Sequence, residues 1–172
     1  RSATLVALAA ATMASTVLLG GCAAVVVGGA VGTAMMVSDR RTSGTQIEDQ
    51  AIELKALTRI RETVGDRGHI NVTSYSRMVL LTGEVASDTD RTALEQAIAR
   101  IENVRSIVNE LAVMGSSSLT ARSNDTILTS KVKATYVDAK DLQANVVKVV
   151  TERATVYLMG RVTEREATRA EK

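Results

Sequence analysis

The chain has 172 residues, of which 45% are hydrophobic and only 2% aromatic, so its core must be aliphatic. Its 21 basic and 19 acidic residues leave a net charge of +2, too small for the strongly positive surface typical of nucleic-acid-binding proteins. One cysteine and one histidine exclude an internal disulfide and a zinc site made of Cys and His ligands. No nucleophile and base pair or paired-carboxylate signature stands out. We therefore predict a protein that is not an enzyme, has no cofactor and does not bind nucleic acid.

The first residues carry an export pattern. No side chain between Ser2 and Ser38 is charged, and residues 3–19, "ATLVALAAATMASTVLL", have the length and composition of the apolar region of a signal peptide. The sequence "LGGC" at 19–22 resembles the lipobox of bacterial lipoproteins, in which small residues fit the protease and the cysteine receives diacylglycerol. We predict a signal peptide over residues 1–21 and lipid attachment at Cys22. A lipidated N-terminus and linker would follow over residues 22–46, held firmly by two or three acyl chains.

An uncleaved membrane-spanning helix over residues 5–37 is the alternative, because about 20 apolar residues suffice to cross a bilayer. Five glycines between residues 20 and 32 disfavour a continuous helix there. Arg1 on one side and Arg40 and Arg41 on the other give no clear orientation under the positive-inside rule. Ala23, where an Asp would favour retention at the inner membrane, instead resembles the sorting pattern of outer-membrane lipoproteins.

Residues 47–114 predict a small α+β domain in the order α-β-β-α-β. Apolar residues at helical spacing between Ile47 and Val64 indicate an amphipathic helix, and two β-rich runs at 69–75 and 78–85 are joined by a two-residue turn. The second helix has Ser and Asp as cap candidates and places Leu94, Ile98 and Ile101 on one face, before a third strand at 104–114. A right-handed crossover then predicts a small mixed sheet with both helices on one face.

The same order begins again after a linker at 115–122. A helix at 123–138, strands at 145–152 and 155–162 and a second helix from 163 match the first copy, with Gly83 and Gly160 at a spacing of 77 residues. We predict a second domain at 123–172 that is C-terminally incomplete, because the counterpart of the last strand would fall at 181–190. We expect that this leaves the aliphatic residues Val149, Val156 and Leu158 uncovered, and that Gly83 and Gly160 end their hairpins at a bulge or a sharp exit.

The lipobox and the doubled unit resemble the dual BON-domain lipoproteins of the Gram-negative outer membrane. The resemblance is most specific at "GTQIED" (44–49), "INVTSY" (70–75), "SNDT" (123–126) and "LMGRVTEREA" (158–167). It implies a lipid-anchored protein on the periplasmic face of the outer membrane, without catalysis. It also implies binding of anionic phospholipid, notably phosphatidylglycerol, through the first helix of the second domain, in support of envelope integrity. The alternative is an adaptor whose BON domains bind a protein partner, such as an outer-membrane assembly or secretion factor.

The helix at 123–138 carries the predicted membrane-binding residues, which are Ile127, Lys131, Lys133, Ala134 and Val137. The helical period directs a second set to the sheet: Leu128, Val132, Thr135, Tyr136 and Ala139. The first set would place apolar side chains at the headgroup boundary and lysines against lipid phosphates. The alternative is that Ile127 and Val137 pack against the first domain or are ordinary exposed aliphatics. The family has a tryptophan where this chain has Ile127, which favours weaker interfacial binding here.

Overall fold

The computed structural model describes residues 40–138 and 146–171. The predictions for residues 1–39, including lipid attachment at Cys22, and for Ala139 lie outside the described residues. The first repeat contains α1 (Ser43–Thr63), β1 (His69–Tyr75), β2 (Met78–Val85), α2 (Asp88–Ala99) and β3 (Ser106–Val113). The second contains α3 (Leu119–Asp138), β4 (Val147–Glu152), β5 (Thr155–Gly160) and α4 (Glu164–Ala170).

The first repeat has the predicted mixed sheet, with strand order β1-β2-β3. β1 and β2 are antiparallel, whereas β2 and β3 are parallel because α2 crosses over between them. The turn between β1 and β2 consists of Ser76 and Arg77, whose φ angles of 51° and 67° are those of a tight hairpin turn. Both helices pack on one side of this sheet, as predicted, and we call it the helix side.

The helix side forms one aliphatic core. From α1 it receives Ile52, Ala56 and Ile60, which are spaced four residues apart and therefore share a face. From α2 it receives Leu94 and Ile98, as the sequence predicts. Two other apolar residues of α1 lie outside this core, because Ile47 and Leu54 are 63% and 68% exposed. The sequence pattern of α1 therefore contains two apolar faces rather than one.

Gly83 corrects one expectation from the sequence. It lies inside β2, paired with Ile70 and Leu111 in an unbroken register, and it does not end the hairpin at a bulge. Its φ is +112°, and a Cβ atom at this position would lie 2.0 Å from the carbonyl oxygen of His69. The glycine therefore allows two backbones to approach closely in the middle of the sheet.

The second repeat begins earlier than the sequence indicates. The hydroxyl oxygen of Ser118 accepts a hydrogen bond from the Ala121 amide at 3.1 Å, so α3 begins at Leu119 and takes four residues from the predicted linker. Val149 is buried against Tyr136 of α3, contrary to the expectation that it is uncovered, and Val156 and Leu158 are partly buried beside it. Thr135, expected to face the sheet, is exposed, and its hydroxyl donates to the Lys131 carbonyl instead.

The side of the first sheet opposite its helices packs against the β4–β5 hairpin, and we call it the stacking side. Tyr75 and Leu80 of the first repeat form an apolar cluster there with Met159 of the second. The buried carboxylate of Glu152 accepts hydrogen bonds from the Asn71 amide at 2.7 Å and the Thr82 hydroxyl at 3.4 Å. The two sheets are therefore stacked face to face, with helices on the outer side of each.

Arg40 joins the start of the described chain to the second repeat. Its guanidinium donates to both carboxylate oxygens of Glu166, at 2.6 and 2.8 Å, and the Thr163 amide donates to the same carboxylate at 2.8 Å. The Arg40 hydrogen bonds, followed by the Thr163 backbone amide, lower the pKa of Glu166 from 4.5 to about 2. Since the pKa is lower in the folded state, this carboxylate stabilises the fold above about pH 4.5, and the contribution is lost as the pH falls towards 2.

We expect the Glu166→Gln variant to lose less thermal stability than the parent protein between pH 4.5 and pH 2. The effect is small, because Arg40 is 40% exposed and solvent screens the pair. Thermal unfolding followed by circular dichroism at a series of pH values measures it, with Glu164→Gln in the same helical turn as the control. A stability difference between parent and variant that stays constant from pH 7 to pH 2 would show that the Arg40 pair does not stabilise the fold.

Candidate functional site

A buried aspartate attaches the first helix of each repeat to the hairpin that follows. In the first repeat, Asp49 of α1 accepts hydrogen bonds from the backbone amides of Ser76 and Arg77, both at 2.8 Å. Its carboxylate also accepts from the Ser74 hydroxyl and the Arg41 guanidinium, each at 2.8 Å. Four donors thus satisfy both carboxylate oxygens, which is the condition for burying a charge at low cost.

Asp125 of α3 repeats this arrangement. Its carboxylate accepts from the backbone amides of Arg153 and Ala154 at 2.9 and 2.8 Å, at the turn where both residues have positive φ. The motifs "GTQIED" and "SNDT" therefore share an aspartate that fixes the helix direction relative to the hairpin. Sequence reasoning missed this role, although the signal was present as an Asp in each repeat, followed 27 to 29 residues later by a two-residue turn.

The remaining contacts of α3 determine which of its sides faces the solvent. The Thr129 hydroxyl donates to the Thr151 hydroxyl at 2.7 Å, and the Tyr136 hydroxyl donates to the Ala170 carbonyl at 2.8 Å. Burial raises the pKa of Tyr136, which keeps this hydroxyl protonated as a donor. Val132 packs beside Tyr136 in the second core. These contacts turn the opposite side of α3 outward.

The outer face of α3 comprises four of the five predicted membrane-binding residues, namely Ile127, Lys131, Lys133 and Ala134. Ile127 is 54% exposed, and Lys131, Lys133 and Ala134 are exposed too. Ile127 is therefore not packed against the first repeat, which leaves two interpretations from the sequence, a membrane contact or an ordinary exposed aliphatic. The side chain of Val137 lies outside the described part of the chain. Lys133 is about 120° round the helix from Ile127, whereas Lys131 and Ala134 are within about 40° of it.

Leu119, which falls in the linker predicted from the sequence, adds an apolar residue to this face. It is 79% exposed and lies about 80° round the helix from Ile127, at the N-terminal end of the same helix. The face also has two exposed basic residues, Lys131 and Lys133. Within the part of the chain that the structure describes, neither Lys131 nor Lys133 is within ion-pair distance of a carboxylate. The outer face of α3 is therefore both apolar and positively charged.

Two further observations concern the described residues alone. Over 40–138 and 146–171, no cluster of three or more His, Cys, Asp or Glu side chains is arranged to hold a metal ion. None of the helices in these two ranges has the combination of length and apolar composition that crossing a bilayer requires.

The structure thus defines a tandem-repeat α+β protein, with the order α-β-β-α-β in the first repeat and α-β-β-α in the described part of the second. The BON domain pattern matches residues 48–115 and 124–172, and the chain belongs to the BON-domain family. It is 37% identical, over 92% of its own length and 83% of the relative's, to the outer membrane lipoprotein DolP of Haemophilus influenzae. A 21 kDa hemolysin of Actinobacillus pleuropneumoniae is 27% identical over 75% of this chain and 68% of that protein.

These matches confirm the family predicted from the sequence motifs. They also confirm the α+β class and the two tandem units, since both matched segments coincide with the repeats of the structure. The chain is accordingly a lipid-anchored protein of the outer membrane with a role in the cell envelope.

Proposed function

We propose that this chain is a non-enzymatic envelope protein, anchored through Cys22, that binds anionic phospholipid through the outer face of α3 and supports outer-membrane integrity. The observation that carries the proposal is the exposure of Ile127 beside Lys131, a lysine without an acidic partner among the described residues. Phosphatidylglycerol is the anionic phospholipid that this family resemblance favours.

Two contributions of similar size favour binding at this face. An aliphatic side chain that leaves water for the headgroup and acyl boundary gains about 1.5 to 3 kcal/mol if it becomes fully buried. A basic residue close to an anionic surface adds about 1 kcal/mol. Neither contribution alone is enough to hold the protein at an anionic membrane. A face that supplies Ile127, Leu119 and at least one lysine together combines both contributions and binds the membrane more tightly. The lipid anchor adds to it by keeping the domain near the membrane.

We expect Ile127→Glu to weaken binding to phosphatidylglycerol vesicles about tenfold, since it removes the apolar contact and adds a repelled charge. The fold should survive, because Val132 and Tyr136 hold the opposite side of α3. Ile127→Trp should strengthen binding, since tryptophan prefers the membrane interface. Vesicle flotation of the non-lipidated protein, at low and at physiological salt, measures each variant.

Leu54→Glu is the matched control, because it places the same charge on an exposed apolar position of α1. It should leave vesicle binding unchanged. Binding that survives Ile127→Glu with the fold intact would show that α3 is not the lipid-binding element.

A second candidate is an adaptor that binds an envelope protein. Ile47 and Leu54 favour it, since both are more than 60% exposed and lie about 20° apart on α1. This exposed apolar face of α1 could contact a protein partner without any contact to lipid. Absence of vesicle binding at low salt, together with loss of a cross-linked envelope partner in Leu54→Glu, would make the adaptor the better proposal.

Lipid attachment at Cys22 is a separate prediction. We expect Cys22→Ser to abolish incorporation of a fatty-acid analogue and to release the protein from the membrane fraction, because the chain has no other thiol. Metabolic labelling followed by gel fluorescence measures the incorporation of the analogue. Undiminished labelling of the serine variant would instead favour the membrane-spanning alternative over residues 5–37.

A further inference from the structure

A cavity of about 460 Å³ opens where both repeats meet the start of α1. Its walls come from the N-terminus of α1, the turn between β1 and β2, the residue before β3 and the end of β5. Four arginines line it, namely Arg41, Arg77, Arg105 and Arg161, and none of the described residues that line it is a carboxylate. The volume is within the range of sites that bind small molecules.

The positive charge of this cavity is only partly compensated. Asp49 pairs with Arg41 and Glu48 pairs with Arg77, each at 2.8 Å. Arg105 and Arg161 are exposed, and among the residues that the structure describes neither side chain has a carboxylate within ion-pair distance. Two guanidinium groups thus add uncompensated charge to a concave surface, where low-dielectric walls concentrate the electric field.

Backbone hydrogen bonds hold the two free arginines at the cavity. The Arg161 amide donates to the hydroxyl of the buried Tyr75 at 3.0 Å, and the Arg105 amide donates to the Arg77 carbonyl at 2.9 Å. Arg41 lies over the Tyr75 ring, with its guanidinium carbon 4.1 Å from the ring centroid. The positions from which the side chains extend are therefore fixed before any ligand arrives, which reduces the entropic cost of binding.

We propose that this cavity binds the phosphate group of a small phosphate ester. Planar guanidinium groups match the oxygen geometry of phosphate and can bind it through paired hydrogen bonds. The cavity is larger than a bare phosphate needs, which leaves room for the esterified organic part. The site is separate from the outer face of α3 and does not depend on the function proposed for that face. The ester is either soluble or the headgroup of a lipid, and the two share the chemistry that the arginines recognise.

Titration of the protein with glycerol 3-phosphate, followed by amide and arginine side-chain NMR signals, tests the proposal. We expect saturable shifts at Arg77, Arg105 and Arg161. Arg105→Gln and Arg161→Gln should each weaken binding about tenfold, the usual effect of removing a hydrogen bond to a charged group. The control is Arg61→Gln, which removes the same charge from the other end of α1, about 27 Å from its start. It should leave the affinity unchanged.

Absence of saturation up to about 10 mM ligand would overturn the proposal, as would an equal loss of affinity in Arg61→Gln, which would indicate general counterion attraction. A second arm identifies the source of the ester, using vesicles that contain phosphatidic acid and a protein that carries Ile127→Glu. Competition between glycerol 3-phosphate and these vesicles would assign the cavity to a lipid headgroup. Saturable binding of the soluble ester without such competition would assign it to a soluble ligand.

Discussion

Gly83→Ala is expected to lower the free energy of unfolding by about 4 kcal/mol or more, the sum of backbone strain and the displacement of a paired strand. Two independent features of the position cause this. The φ of +112° is a conformation that residues with a side chain rarely adopt, and the added Cβ would lie 2.0 Å from the His69 carbonyl oxygen. Because that oxygen belongs to the backbone of β1, no side-chain rotation can relieve the clash.

Substitutions at two other glycines separate the cost of the positive φ at Gly83 from the cost of the Cβ clash. Gly65 has a φ of +58° but 3.8 Å of space, so Gly65→Ala should cost only about 1 kcal/mol from the left-handed conformation. Gly115 has nothing within 4 Å and no positive φ, so Gly115→Ala should be neutral. Urea denaturation followed by circular dichroism gives all three values. An effect of Gly83→Ala no larger than that of Gly65→Ala would contradict the close approach of β1 and β2.

Asp49→Ala is expected to destabilise the protein by about 3 to 5 kcal/mol, the range observed when one partner of a buried ion pair is removed. The substitution leaves the Arg41 guanidinium, the Ser74 hydroxyl and the turn amides without their acceptor. Asp49→Asn should not restore stability, although it keeps the shape. Both carboxylate oxygens of Asp49 accept hydrogen bonds. In either orientation, the asparagine amide therefore directs its NH₂ group at another donor, with which it cannot form a hydrogen bond.

Asp125→Ala should have a smaller effect, about 2 kcal/mol, since the two turn amides are the only donors that the described residues provide to that carboxylate. Asp66→Ala is the control, because Asp66 is exposed beyond the end of α1. Chemical denaturation measures the series. Equal stability of the Asp49→Asn variant and the parent protein would mean that the charge on this carboxylate is not needed.

The features that the sequence predicts correctly are those set by neighbouring residues. The turn at Ser76 and Arg77 lies between two β-rich runs, and Ser87 caps α2 by accepting from the Asp90 amide at 3.1 Å. Leu94 and Ile98 follow the helical period and are buried. Each of these interactions spans only a few residues, so composition and spacing are sufficient to predict it.

The features that could not be predicted depend on contacts between distant parts of the chain. Nothing near Glu152 in the sequence indicates that Asn71 and Thr82 will donate to it across 70 or more residues. Thr135 has the right period for the buried side of α3, yet its direction depends on how Asp125 and Tyr136 fix the helix. The exposure of Ile127 was predicted from the period of α3, whereas the contribution of Leu119 depended on where α3 begins.

The stacking of the two sheets has a consequence for how the protein can move. Glu152 is buried with its donors on the other repeat, so separating the repeats would strand a carboxylate and expose the apolar residues around Tyr75. The linker between β3 and α3 consequently does not act as a hinge, and the two repeats move as one rigid body. If α3 binds a bilayer as proposed, the orientation of the arginine cavity relative to the membrane is fixed at the same time, because the two repeats are packed together.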